Sequence, residues 1–128
     1  MSARADKRIV IIVHEPGNRR VLGQAVAEIG RTPVAIDSED ALRACLTDDN
    51  PPRAALVDTS GFGHAVWALC GLLHEHEIPF LVLSTAKDHE ASHRSLEYGA
   101  ASVLSKPVTK DALLKLLQSL DRRDEAGP

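Results

Sequence analysis

The run Ile9-Val10-Ile11-Ile12-Val13 constrains this chain more than any other feature. Five consecutive β-branched residues favour extended backbone. A half-buried strand alternates apolar and polar side chains, and this run does not. Both of its faces must therefore be covered, as in a parallel sheet with helices on either side.

The rest of the chain supplies those helices and further strands in alternation. Val21, Leu22, Ala25, Val26 and Ile29 recur at helical spacing, and Gly30 is a natural helix terminator. Pro33–Ile36 reads as a second strand. Asp37 to Asp40 offer a cap and first-turn acids to a helix with Ala41, Leu42, Cys45 and Leu46 on its stripe, broken between Asp48 and Pro52. Ala54–Val57 is a third strand ending at Asp58, followed by the Gly-rich loop Thr59–Gly63. His64–Glu77 carries Val66, Leu69, Cys70 and Leu73 on one helical stripe. Pro79–Leu83 is a fourth strand ending at Ser84-Thr85. Asp88 can cap a helix that closes at Gly99. Ala101–Leu104 is a fifth strand, Lys106-Pro107 makes a turn, and Thr109 caps a last helix running to Leu120. Alternation of this kind predicts an α/β fold: a five-stranded parallel sheet, doubly wound by five helices. The expected divisions are a flexible N-terminus over 1–7, one domain over 8–120 and a polar tail over 121–128.

Composition narrows the function. The formal charge is −3 and aromatics are 3% of the residues, so neither a basic face nor a stacking platform for nucleic acid is expected. Cys45 and Cys70 lie in apolar helical patterns with no CxxC pair, and read as small buried hydrophobes. No segment has the length and apolarity of a membrane span or a signal core. A cytoplasmic protein is the expectation.

Sites in doubly wound folds sit at the carboxyl ends of the strands. Here those ends bring His14, Asp37, Asp58, Ser84 and Lys106 into question. A buried carboxylate needs a partner. A lysine ending another strand on the same rim could pair with Asp58 and later hold a phosphoryl oxygen, with Ser84 adding a hydroxyl. Carboxylates act as nucleophiles in phosphoryl transfer.

The order Asp58, Ser84-Thr85-Ala86, Gly99-Ala100, Lys106-Pro107 resembles the response-regulator receiver (CheY-like) family over Arg8 to Leu120. The resemblance implies the strand order 2-1-3-4-5, an order that general accounts of doubly wound folds already give for CheY. It implies that Asp58 accepts a phosphoryl group from a histidine kinase or phosphotransfer protein. It makes Ser84 and Thr85 the switch residues, Lys106 the phosphoryl-binding lysine, and Pro107 a cis-proline. Such a domain is not an enzyme beyond its own modification at Asp58. Its downstream partner is expected on the face of the fourth helix, fifth strand and fifth helix. A homodimer is compatible with the same elements.

Departures from the family pattern are concentrated at the metal site. Receivers carry two adjacent acids after the first strand, and the corresponding run here is Val13-His14-Glu15-Pro16. Valine offers no ligand and neutral histidine suits softer metals, whereas Mg²⁺ wants oxygen donors. Val13, His14, Glu15 and Ser60 therefore form a degenerate metal site, leaving Asp58 to hold Mg²⁺ weakly at best. The loop after Asp58 lacks the family's Met-Pro segment. Val103 stands where a rotating Tyr or Phe is usual. Two functions follow as alternatives: a phospho-switch, or a pseudo-receiver that binds a protein partner without phosphate. His89 and His93 have metal-pair spacing without a third ligand, and Trp67 reads as core.

Overall fold

The structure is a computed structural model describing residues 7–47, 50–85, 89–106 and 108–126. Among the described residues ten elements alternate strictly: β1 (Arg8–Ile12), α1 (Pro16–Glu28), β2 (Thr32–Ile36), α2 (Glu39–Leu46), β3 (Ala54–Asp58), α3 (Ala65–Glu75), β4 (Phe80–Thr85), α4 (His89–Glu97), β5 (Ser102–Lys106) and α5 (Lys110–Ala126). The strands form one parallel sheet in the order β2-β1-β3-β4-β5. The fold class and strand order expected from the sequence are those observed.

Local chemistry sets the helix ends. Pro16 opens α1, where its missing N–H costs nothing and its ring presets φ. Gly30 closes the same helix at φ 82°, with its N–H on the Ala27 carbonyl and the Arg31 N–H on the Val26 carbonyl. This is the doubly bonded C-terminal cap that a residue without Cβ allows. The Ser38 hydroxyl accepts from the Ala41 N–H at 3.2 Å to start α2, and Thr109 accepts from the Ala112 N–H at 3.2 Å to start α5. Asp88, expected to cap α4, and Pro107, expected to be cis, lie outside the described residues, as do Asp48 and Ala86.

Two apolar layers cover the two faces of the sheet. Val10, Ile12, Ala55, Val57, Phe80 and Val82 point to the face covered by α2 and α3. Their neighbours Ile9, Ile11, Val13, Leu56, Leu81 and Leu83 point to the other, where Leu22 and Val26 of α1 and Leu113 and Leu117 of α5 pack. Strand side chains alternate between faces. The unbroken β1 run therefore feeds both layers, and each residue from Ile9 to Val13 is at most 1% exposed.

The C-terminal boundary differs from the expected one. Helix α5 does not stop at Leu120 but continues to Ala126. Asp121, expected to begin a polar tail, is buried and takes two guanidinium groups. Arg31 donates to both carboxylate oxygens at 3.0 Å, and Arg53, itself 5% exposed, forms a second ion pair. The Arg53 guanidinium also donates to the Asp121 carbonyl at 3.1 Å. The polarity that marks a tail in sequence is here the polarity of a buried ionic cluster, which pins α5 to the amino-terminal rim of the sheet.

Candidate functional site

The opposite rim carries the chemistry. Asp58 ends β3 and pairs in register with Leu83 of β4. By alternation its side chain shares the α1–α5 face with Leu56 and Leu83. Lys106 ends β5 two residues after Leu104, which packs on that same face. Two strands away from each other, the two side chains converge: Lys106 Nζ donates to Asp58 Oδ1 at 2.6 Å. The carboxylate is 2% exposed, and the lysine side chain reaches it while staying 25% exposed.

The carboxylate has two further donors. The Ser60 N–H gives its hydrogen to Oδ1 at 3.0 Å, and the Ser60 hydroxyl accepts from Lys106 Nζ at 3.0 Å. Asn18 Nδ2 donates to Oδ2 at 3.1 Å. Asn18 was not singled out in sequence. The signal it left was positional: it lies one helical turn before Leu22 on the buried stripe of α1, in the turn that Pro16 opens at the rim. Beside these groups a cavity of about 390 Å³ opens between α1 and α5, with Asn18, Asp58 and Lys106 at its polar end and Val21, Leu22 and Leu113 among its apolar walls.

Ser84 is fully buried in β4, one residue beyond Leu83, and alternation turns it toward the opposite face from Asp58. Thr85 pairs through its backbone with Lys106. His14, Glu15 and Asp37 are exposed. The His14 ring lies edge-on to Phe62, 5.8 Å between centroids, and backs onto Gly61, whose φ is 85°. His93 pairs with Glu97 on an exposed helix face at 3.0 Å. Trp67 is half-buried rather than fully core. It stacks with Tyr98 at 5.9 Å, and the Arg94 guanidinium lies 5.8 Å from its ring.

Mg²⁺ is the cofactor that the resemblance implies, and the residues present do not fit it. An octahedral oxygen cage needs carboxylates or carbonyls converging on one point. Val13, in the position of an acid, is 1% exposed and packed in the apolar α1–α5 layer. Both Asp58 oxygens already accept hydrogen bonds, and the hydroxyl of Ser60 is held by Lys106. Among the described residues no group of three or more His, Cys, Asp or Glu is placed to hold a metal ion. None of the described helices is long and apolar enough to cross a membrane.

No protein-family model matches this sequence, and no curated protein matches it either. Solved structures do. The signal receiver domain of a histidine kinase from Syntrophus aciditrophicus superposes with a TM-score of 0.79 at 22% identity, covering 95% of each chain. The receiver domain of TorR, the response regulator of a TMAO respiratory system, gives 0.78 at 22% identity over 88% of this chain and 94% of that one. NtrX from Brucella abortus, solved in complex with ATP, gives 0.79 at 19% identity, but the match covers 94% of this chain and only 27% of that one. With the alternating elements and the observed strand order, these likenesses give this chain the receiver fold of response regulators.

Proposed function

We propose that this chain is a signalling receiver in a two-component or phosphorelay system, accepting a phosphoryl group on Asp58 from a histidine kinase or phosphotransfer protein. One observation carries the reading: a buried carboxylate at the carboxyl rim is held 2.6 Å from the ammonium of Lys106. Such a pair places a cation where the incoming phosphoryl charge would develop. In the transfer, a carboxylate oxygen bonds to phosphorus as the phosphorus–nitrogen bond of the donor's phosphohistidine breaks. The imidazole leaves with the electron pair and takes up a proton. Apart from this self-modification the chain is no enzyme.

The output is read as a change in affinity for a protein partner on the α4–β5–α5 face. The test is incubation of the intact chain with acetyl phosphate, followed by intact mass and amide NMR. Gain of one phosphoryl group, absent in Asp58→Asn, supports the proposal. An unmodified wild type after prolonged exposure in the presence of Mg²⁺ would falsify it.

The burial of Val13 favours a second reading, a pseudo-receiver that docks its partner without phosphate. Equal partner affinity of wild type and Asp58→Ala would select that reading.

A further inference from the structure

We propose that Asn18 and Lys106 together make Asp58 a phosphoryl acceptor that needs no divalent cation, with the Asn18 amide standing on the oxygen that a metal would otherwise engage. The inference rests on the reading of Asp58 as acceptor and adds to it the donor set that serves the transfer.

The two oxygens of the carboxylate are unequal. Oδ1 takes a charged donor at 2.6 Å and a backbone N–H at 3.0 Å, whereas Oδ2 takes one neutral amide at 3.1 Å. Hydrogen bonds to an anion from a cation are the strongest of these, and they lower the nucleophilicity of the oxygen that accepts them. Oδ2 is therefore the attacking atom. Asn18 Nδ2 lies beside it, so an incoming phosphorus meets an amide donor on that side and an ammonium on the other.

The amide can face a carboxylate only through its NH₂ group, because its oxygen would be repelled. In that orientation the group it turns toward Oδ2 is a donor and no metal ligand, and a cation reaching Oδ2 would have to displace it. Valine at position 13 supplies no second acid in compensation. After transfer, Oδ2 bridges carbon and phosphorus and becomes a poor acceptor. The Asn18 hydrogen bond then passes to a phosphoryl oxygen, and Lys106 neutralises part of the new charge. Preorganised donors aimed at developing charge are what a metal contributes in other phosphoryl-transfer sites.

The experiment follows acetyl phosphate modification of the full chain by intact mass, in excess Mg²⁺ and in EDTA. The bond from Asp58 Oδ2 to phosphorus forms as the phosphorus–oxygen bond to acetate breaks, and acetate leaves with the electron pair. Wild type is expected to react at rates within about twofold in the two conditions. Asn18→Ala is expected to be about tenfold slower in both, the cost of one lost donor. Asn18→Asp puts a second carboxylate beside the first and is expected to react only when Mg²⁺ is present. A wild type that reacts only with Mg²⁺ overturns the inference and leaves Asp58 as acceptor. A wild type that reacts in neither condition overturns both. A second measurement uses Mn²⁺ alone, read by paramagnetic broadening of the amides of residues 58–60. Broadening gained in Asn18→Asp and absent from wild type supports the inference; saturable broadening in wild type overturns it.

Discussion

Lys106 Nζ and Asp58 Oδ1 lie 2.6 Å apart, and 48 residues separate them in the chain. The two ends of this ion pair differ in environment: the carboxylate is buried and the ammonium reaches solvent along one side. The lysine can therefore shed part of its partnership into water, while the acid cannot.

That asymmetry predicts an asymmetric mutational response. Lys106→Met strands a buried carboxylate and should destabilise the fold by about 2–3 kcal/mol, less than the roughly 3–5 kcal/mol for breaking a fully buried pair because the lysine is partly hydrated. Adding Asp58→Asn should return much of the loss, since the orphaned charge is gone. Urea unfolding of both single variants and the double variant measures this coupling. Purely additive losses would show that the pair contributes little.

At the other rim, Asp121→Ala leaves two arginines without their shared carboxylate. The expected cost is about 3–5 kcal/mol. Cutting the chain after Leu120 removes the same carboxylate and should cost a similar amount. A truncated chain with an unchanged urea midpoint would restore the polar-tail reading of residues 121–128.

Gly61 combines a left-handed backbone, φ 85°, with a close neighbour: a Cβ built there would stand 2.8 Å from His14 Cδ2. Gly61→Ala should cost about 1–3 kcal/mol, part from the backbone and part from the ring. In a His14→Ala background the second part should disappear, leaving about 1 kcal/mol. Equal costs in both backgrounds would assign the whole effect to the backbone.

Burial pushes the Cys70 thiol up to about 12 from an ordinary value of 9.0. The folded chain should therefore protect it from a thiol reagent at pH 8, with labelling only in urea. The sign for stability follows from the unfolded thiol losing its proton first. The contribution is whole below about pH 9 and is lost as the pH rises toward 12. A urea midpoint that falls over that window in wild type, and less in Cys70→Ala, is the expected result. Native-state labelling of Cys70 at pH 8 would contradict it.

The strand runs were legible because burial on both faces needs no register to be recognised: Ile9 to Val13 and Ala54 to Val57 are apolar at every position. The cap at Thr109 and the stop at Gly30 were legible for a similar reason, since each satisfies or bends backbone within four residues of itself, whereas the α2 cap was legible only as one of Asp37 to Asp40. Asp58 and Lys106 stood out as polar residues closing apolar strands.

The sequence by itself determined the elements and their alternation, and through them the sheet and its two apolar layers. These follow from short-range periodicity, which the chain carries locally. Only the tertiary structure decided which polar groups meet. Asn18 finds Asp58 across 40 residues, and Arg31 finds Asp121 across 90. Such partnerships depend on which face of the sheet each helix covers and how far along it each helix begins. Those distances are set by packing, so a polar residue that reads as solvated surface or as tail can become the donor or acceptor that a buried charge requires.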